Sequence, residues 1–114
     1  MEPFRQRLTK EQRQHEFARV KNKLDNFIPI IVERGSEQSP LIDKEKFLVP
    51  TEVTFGQLSF VIRKRLKMFP SDALFLMVNK QLFTGTSTVG NVYDAHHDLD
   101  GFLYVTYTNE NTFG

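Results

Sequence analysis

The sequence predicts a single α+β domain in which a sheet of short strands wraps over one amphipathic helix. Three observations predict this class. The chain has 114 residues, which leaves room for one modest core. Apolar residues make up 39% of it, a value typical of globular domains. Segments of alternating and helical period follow one another in the order helix, strand, strand, helix, strand, short strand, helix, strand.

The N-terminal part of the chain predicts a polar helix over residues 9–26. The segment is highly charged and contains neither glycine nor proline. Its apolar residues recur at helical spacing and form a narrow stripe: Phe17, Val20 and Leu24. Thr9 and Gln12 have the spacing of a capping box at the helix start. The residues before Thr9 are expected to form no more than a short helical turn.

Two strands are predicted next. Residues 27–32 read FIPIIV, a β-branched and apolar run. Pro29 has no N–H for a ladder, so it is expected near the start of the strand or at an exposed edge. Residues 34–40 form a turn or loop because of their Gly, Ser and Pro content, and residues 47–49 form a second strand that ends at Pro50.

The clearest helix covers residues 55–67, after a capping box of Thr54 with Gln57. Its apolar residues share one face: Leu58, Val61, Ile62 and Leu66. The opposite face is basic: Arg63, Lys64, Arg65 and Lys67. Residues 75–78 and 81–83 predict two more strands, Ser87 or Thr88 opens a short helix that continues through Tyr93, and residues 102–107 alternate as the last strand.

The charge of the chain is strongly divided although its net value is only +1. Residues 1–67 carry 14 of the 15 Lys and Arg and nine acids, whereas residues 68–114 carry one Lys and five acids. This division predicts a basic face that could steer acidic peptides. An unevenly charged, solvated surface is the alternative reading.

The residues give little support to catalysis. The chain has no cysteine, which excludes disulfides, thiolate metal sites and thiol nucleophiles. Only His96 and His97, with Asp94, Asp98 and Asp100 nearby, have metal-ligand side chains in a local cluster, and adjacent histidines seldom converge on one ion. There is no nucleophile elbow or phosphate loop, and the basic helix lacks the aromatic interleaving and total charge of a nucleic-acid binder. We therefore expect no enzyme activity, no cofactor, no metal and no nucleic-acid partner.

Several stretches from residue 27 onward resemble the autophagy ubiquitin-like modifiers, the GABARAP-like family. The matching stretches are Ile28-Pro29-Ile30-Ile31-Val32-Glu33, Asp43-Lys44-Glu45-Lys46-Phe47-Leu48-Val49-Pro50, Phe60-Val61-Ile62-Arg63-Lys64-Arg65, Asp72-Ala73-Leu74-Phe75, His96-His97-Asp98, Phe102-Leu103-Tyr104 and Phe113-Gly114. They occur in the family's order and spacing and cover about residues 15–114, whereas the first fourteen residues match poorly.

The resemblance implies a ubiquitin-like β-grasp fold with two additional N-terminal helices. Residues 1–26 would be the helical extension, and residues 27–114 the ubiquitin-like domain with a flexible tail over 108–114. It also implies that E1-like and E2-like enzymes conjugate Gly114 to phosphatidylethanolamine, and that a cysteine protease processes and deconjugates it. The expected protein is a monomer, cytoplasmic, and bound to autophagosomal membranes when lipidated.

The resemblance further implies a groove for aromatic-x-x-aliphatic peptides of cargo receptors and autophagy factors, in which an incoming strand adds to the edge around residues 46–48. The first pocket would take the aromatic anchor: Glu16, Val20, Pro29, Ile31, Lys46, Leu48 and Phe102. The second would take the aliphatic anchor: Phe47, Val49, Pro50, Val53, Leu58, Val61 and Ile62. Acidic flanks of the peptide would be attracted by Lys44, Lys46 and Arg65. Core packing is the alternative for several of these, Ile62 above all.

Some positions depart from the family pattern. Phe27 replaces a residue that is often basic, Leu58 replaces a larger aromatic in the second pocket, Gly101 replaces a bulky residue, and the loop before Asp43 differs. These departures affect which peptide is preferred. Two alternatives to lipid conjugation stay open: a non-conjugated adaptor that uses the same groove, and a modifier that attaches Gly114 to protein lysines.

Overall fold

The computed structural model describes residues 2–21, 26–83 and 85–109. Its helices and strands are α1 (Phe4–Arg7), α2 (Lys10–Lys21), β1 (Phe27–Arg34), β2 (Lys46–Pro50), α3 (Phe55–Arg65), β3 (Phe75–Val78), β4 (Gln81–Phe83), α4 (Val89–His96) and β5 (Leu103–Thr108). The predicted α+β class and the predicted order of the elements are confirmed.

One five-stranded sheet organises the domain, with strand order β2-β1-β5-β3-β4. The central pair, β1 and β5, is parallel, and the other pairs are antiparallel. β1 and β5 therefore lie side by side within the sheet, while β2 and β4 form its two edges.

Tertiary pairing lengthens two of the predicted strands. The strand predicted over residues 27–32 extends to Arg34, because its last residues pair with the end of β5. The strand predicted over residues 47–49 gains Lys46 and Pro50, which pair with β1. The predicted bounds of β3 and β4 are confirmed. The last strand begins at Leu103 and ends at Thr108, one residue later at each end than predicted.

Pro29 does not lie at an exposed edge, because β1 has neighbours on both sides. It pairs with Leu48 of β2, and the parallel pairing with β5 begins one residue later, at Ile30. The hydrogen bonds between β1 and β2 alternate so that the nitrogen of Pro29 points away from β2. The missing N–H is tolerated because Pro29 lies before the first residue of β1 that pairs with β5. Pro29 is therefore near the start of the pairing with β5 but not near the start of the pairing with β2.

The helices begin where the capping residues predict. In α2, the amide of Gln12 donates to Thr9 Oγ1 (3.1 Å) and the amide of Thr9 to Gln12 Oε1 (2.8 Å). The same reciprocal pair joins Thr54 and Gln57 at the start of α3. The predicted end of the first long helix, with Leu24, falls on residues 22–25, outside the described residues.

Two helix ends differ from the prediction. α3 ends at Arg65, two residues early, because Lys67 adopts a left-handed conformation (φ 57°) that reverses the chain. α4 begins after Thr88 as predicted but continues to His96, three residues beyond Tyr93.

The two faces of the sheet carry separate apolar clusters. The inner face packs against α3 and α4, and the cluster between them includes the buried side chains of Tyr107, Phe55, Leu58 and Ile62. The outer face buries Phe4, Ile31, Phe102 and Tyr104, with Leu8 and Phe17 packed against them. The sheet therefore has α3 and α4 on one face and α1 and α2 on the other. In the described ranges, no helix combines the length and the apolarity needed to cross a bilayer.

Candidate functional site

The β2 edge is the feature on which the predicted peptide groove depends. β2 pairs with β1 on one side, and none of the strands described in the structure pairs with its other side. Leu48, at the middle of this strand, is 37% exposed, whereas Phe47 and Val49 on either side of it are buried. An extended segment could therefore add to this edge by main-chain hydrogen bonds.

The hydrogen-bond register identifies which backbone groups face outward. The amide of Val32 donates to the carbonyl of Glu45 (2.7 Å), and the amide of Thr51 donates to that of Asn26 (3.2 Å). Because hydrogen-bonded and non-hydrogen-bonded pairs alternate in an antiparallel ladder, odd-numbered residues of β2 bond to β1. The N–H and C=O groups of Lys46 and Leu48 therefore point to the open side.

The residues predicted for the first pocket come together on the outer face of the sheet. Glu16 and Val20 lie on α2, Pro29 and Ile31 on β1, Lys46 and Leu48 on β2, and Phe102 precedes β5. Register places Pro29 opposite Leu48 and Ile31 opposite Lys46, so these four side chains share one face. Ile31 and Phe102 have no exposed surface, and Val20 is 7% exposed. The accessible parts of this group are therefore Leu48, Lys46 and Glu16.

An ion pair links α2 to β2 across this group. Lys46 Nζ lies 2.5 Å from Glu16 Oε1, and Arg19 also donates to the Glu16 carboxylate. Hydrogen bonds from Arg19 and then from Lys46 lower the pKa of Glu16 from 4.5 to about 2, although burial opposes the shift. Glu16 is thus a carboxylate at neutral pH, and it holds the Lys46 ammonium at the side of α2.

Most residues predicted for the second pocket belong to the main core. Phe47, Val49, Leu58 and Ile62 are all at most 8% exposed, and Ile62 has no exposed surface. Val61 is 46% exposed on the outside of α3. Val53 is partly buried against the core, and Pro50 lies at the end of β2, where alternation puts it on the side of Lys46 and Leu48. Leu58, at 2% exposure, lies beneath this surface.

The three predicted charge contacts are already engaged within the chain. Lys46 pairs with Glu16, and Arg65 Nε lies 3.0 Å from Asp43 Oδ1. Lys44 Nζ lies 4.9 Å from the centre of the Phe47 ring, within range of a cation–π contact. An acidic ligand would have to compete with Glu16 or Asp43 for two of these cations.

Two open cavities, of about 740 and 550 Å³, lie elsewhere on the described surface. The first is lined by α1, the end of β1 and the loop before β2, and the second by the start of α4 and the chain after β2. No residue of either predicted pocket lines them.

A buried polar cluster anchors α2 to the sheet, and the sequence analysis did not assign it. The side chain of Asp100 has no exposed surface, and one of its oxygens accepts from Arg13 Nε at 2.9 Å. The same carboxylate accepts from the hydroxyl of Tyr104 and from the amide of Phe102 (2.8 Å). Burial lowers the pKa of Arg13, and the hydrogen bond with Asp100 raises it. The net effect is a raised pKa. Arg13 also donates to the carbonyl of Leu8, which fixes the turn between α1 and α2.

The aromatic contacts next to this cluster complete the attachment of α2. The rings of Phe17 and Phe102 meet edge to face with centroids 5.5 Å apart. Gly101 adopts φ 100°, and a Cβ there would lie 2.5 Å from the Phe17 ring. A side chain at this position would therefore push α2, and Glu16 and Val20 with it, away from the sheet.

His96, His97 and Asp100 each have different partners. His97 Nδ1 lies 2.8 Å from the carbonyl of Tyr93, and the two rings stack at 4.8 Å. His96 contacts Asn79 and the ring of Phe83, and Asp100 belongs to the α2 anchor. Across the described residues, no group of three or more potential ligands could hold a metal ion.

The predicted conjugation residue, Gly114, and most of the predicted tail over 108–114 lie outside the described residues. The last described residues of the tail are Thr108, which ends β5, and Asn109. Conjugation at Gly114 therefore stays a prediction.

Comparison with known proteins places this fold in a family. Residues 12–114 match the family described as "Autophagy protein Atg8 ubiquitin like". The chain belongs to the Atg8 family. The resemblance stated from the sequence is confirmed, and so is the ubiquitin-like fold that it implies.

Curated relatives of this Atg8-family chain come from distant organisms. Autophagy-related protein 8 of Candida glabrata is 47% identical over 91% of this chain and 89% of its own length. Autophagy-related protein 8d of Arabidopsis thaliana is 45% identical over 91% of this chain and 88% of its own length. Autophagy-related protein 8 of Kluyveromyces lactis is 45% identical over 97% of this chain and 90% of its own length. Membership in an autophagy family of ubiquitin-like proteins is thus shown over nearly the whole chain.

Proposed function

We propose that this Atg8-family chain is a modifier conjugated through Gly114 to phosphatidylethanolamine of autophagosomal membranes, where it recruits aromatic-x-x-aliphatic peptides of cargo receptors and autophagy factors. E1-like and E2-like enzymes would conjugate it, and a cysteine protease would process and release it. The protein would be a cytoplasmic monomer until lipidation. Family membership and the described docking edge support this proposal.

The observation that carries the peptide-docking part is the open β2 edge. Lys46 and Leu48 direct their backbone N–H and C=O groups outward, and Leu48 is the exposed apolar side chain between two buried ones. A bound strand would satisfy those groups and place its alternate side chains on the two sides of β2. On the outer face of the sheet these side chains would meet Glu16 and its neighbours on α2, and on the inner face they would meet Val61 of α3.

Binding would need a local rearrangement on the α2 side. Ile31 and Phe102 are fully buried, and the ion pair between Lys46 and Glu16 spans the entrance. An aromatic anchor would separate Lys46 from Glu16 and contact Leu48 and Val20. Ile31 and Phe102 would then form the floor of the pocket, and Leu58 and Ile62 would support the second pocket without direct contact.

The conjugation part is tested by mass spectrometry of the chain recovered from starved cells, with Gly114→Ala as the matched variant. A phosphatidylethanolamine adduct is expected on the native chain only, because a terminal glycine without a Cβ fits narrow transfer sites. An unmodified native pool would refute conjugation and favour the non-conjugated adaptor. An adduct to protein lysines would favour a protein modifier.

The docking part is tested by calorimetry with an aromatic-x-x-aliphatic peptide. Leu48→Ala should weaken binding by ~1–3 kcal/mol, because a central apolar contact is lost. Leu99→Ala, at an 82% exposed residue before β5, is the control and should bind as the native chain does. Equal affinity of native and Leu48→Ala chains would remove Leu48 from the site.

A further inference from the structure

A second exposed surface lies on the far side of α3 and in the turn that follows it. Phe60 is 59% exposed and Phe69 is 74% exposed, although most large apolar side chains of the described chain are buried. Lys64 Nζ lies 4.8 Å from the centre of the Phe60 ring. Lys67, in the turn between the helix and Phe69, is also exposed. We call these four residues the basic–aromatic face.

The fold explains why these side chains point outward. α3 buries Phe55, Leu58 and Ile62 against the sheet, so Phe60 and Lys64, one turn apart, lie on its solvent side.

After the helix, a Schellman turn reverses the chain. The amide of Met68 donates to the carbonyl of Arg63 (3.1 Å), and the amide of Lys67 to that of Lys64 (3.1 Å). Lys67 occupies the left-handed position (φ 57°) where glycine is the usual residue.

Two of the four basic side chains at the end of α3 and in the following turn bind other groups of the chain, and the other two have no ion pair with a described carboxylate. Arg65 pairs with Asp43, and Arg63 donates to the backbone carbonyl of Asp72. For Lys64 and Lys67, no carboxylate lies within ion-pair distance in the part of the chain that the structure describes. Lys64 therefore contacts the exposed ring of Phe60, and Lys67 precedes the exposed Phe69 by two residues, without an ion pair to either lysine in the described residues.

We propose that the basic–aromatic face contacts an anionic lipid bilayer, with the rings of Phe60 and Phe69 at the headgroup boundary and Lys64 and Lys67 against anionic headgroups. Aromatic residues concentrate at this depth of a bilayer, and lysine stems can extend along apolar surface towards the headgroups. The rings project from a helix and a turn, and neither described cavity is lined by them. Such projecting residues suit the surface of a bilayer better than they suit a peptide ligand, because a peptide needs an open strand edge or a groove.

The position of the chain end agrees with this orientation, and this step rests on the proposed conjugation of Gly114. Thr108, the last residue of β5, pairs with Phe75, the first residue of β3. The segment that carries Phe69 leads directly into Phe75, so it enters the sheet where β5 leaves it. Gly114 is the sixth residue after Thr108, and a chain of six residues spans about 20 Å at most. A lipid at Gly114 would therefore hold this end of the domain near the membrane.

A tryptophan probe tests the contact on the unconjugated chain. The sequence contains no tryptophan, so Phe69→Trp introduces a single tryptophan, which can be excited selectively, at an exposed site. Vesicles of phosphatidylcholine with phosphatidylserine should shift its emission to the blue, and brominated acyl chains should quench it. Vesicles of phosphatidylcholine alone should have a much weaker effect. Leu99→Trp is the control, because Leu99 lies next to α2 on the opposite side of the sheet, and its emission should not change.

Charge variants in the Phe69→Trp background test the role of the two lysines. Replacing both Lys64 and Lys67 by Gln should reduce partitioning about thirtyfold, which corresponds to about 2 kcal/mol at about 1 kcal/mol per basic residue near an anionic surface. Replacing the exposed Lys10 and Lys80 by Gln changes the net charge equally and should reduce partitioning only slightly.

Three results would overturn the proposal: no emission shift with phosphatidylserine vesicles, equal losses in both double variants, or a shift with poly-glutamate or RNA but none with vesicles. The last result would assign the face to an acidic macromolecule. Failure of this proposal is distinguishable from failure of the proposed function, because the probe needs no conjugation. A chain without a lipid adduct in cells but with a lipid-sensitive probe would keep the face and refute the conjugation.

Discussion

Two arginine–aspartate pairs of this chain have nearly the same geometry and very different burial. Arg13 Nε lies 2.9 Å from Asp100, whose side chain has no exposed surface, and Arg65 Nε lies 3.0 Å from Asp43, whose side chain is 70% exposed. Removing one partner of a buried pair leaves an uncompensated charge and costs about 3–5 kcal/mol. Exposed pairs contribute about 0–1 kcal/mol.

We expect Asp100→Ala to lower the free energy of unfolding by about 4 kcal/mol. Arg13 loses its carboxylate, and the hydroxyl of Tyr104 and the amide of Phe102 lose an acceptor. Asp43→Ala should change it by no more than about 0.5 kcal/mol. Asp100→Asn keeps an acceptor for Phe102 and should fall between the two, which provides a folded variant if Asp100→Ala does not fold.

Urea denaturation followed by circular dichroism measures these values for the four single Ala variants and the two double variants. The Arg13/Asp100 cycle should give a coupling energy of about 2 kcal/mol, and the Arg65/Asp43 cycle less than about 0.5 kcal/mol. Equal coupling energies in the two cycles would refute the reasoning, because burial is the main difference between the pairs. Additive effects of Arg13→Ala and Asp100→Ala would show that the contact does not anchor α2.

Two further predictions concern the β3–β4 hairpin and the link between α2 and β2. Lys80→Gly should raise the free energy of unfolding by about 0.5–1 kcal/mol. Asn79 and Lys80 form a two-residue turn with positive φ (52° and 66°), and glycine is preferred at the second position of such a turn. A lower free energy of unfolding in urea denaturation would contradict this. The folded pKa of Glu16, about 2, lies below its ordinary value of 4.5, so the stabilisation is complete above pH 4.5 and is lost as the pH falls towards 2. The stability difference between the native chain and Glu16→Gln is at most about 1 kcal/mol for this partly exposed pair. In denaturation curves it should shrink as the pH falls from 4.5 to 2 and disappear below pH 2, and a constant difference would exclude the titration of Glu16 as its cause.

Local patterns predicted the elements of this fold because their signals are contained in short segments. The two capping boxes, at Thr9 and Thr54, form as the spacing indicates. Element ends were less predictable where partners from distant segments decide them. The extension of β1 to Arg34 depends on β5, and the end of α3 depends on a left-handed Lys67, where the sequence offers no glycine as a signal.

The exposure of the residues proposed for the site could not be predicted from the sequence. The family resemblance supplied the residues beside β2, whereas only packing separates the accessible Leu48 from the buried Ile31. Asp100 was grouped in the sequence with nearby histidines as a possible ligand. Its actual partner, Arg13, is 87 residues away, and no local spacing connects them.

The helix α3 explains how one small domain can present two surfaces at once. Successive residues of a helix differ in direction by about 100°, so three neighbouring positions can serve three purposes. Ile62 faces the core, Val61 and Arg65 lie towards β2, and Phe60 with Lys64 faces away. Arg65 pairs with Asp43, just before β2, which shows that this side of the helix lies beside that strand. A bilayer against Phe60 would therefore leave the β2 edge open to a peptide, because the buried row of α3 holds the two surfaces in a fixed relation.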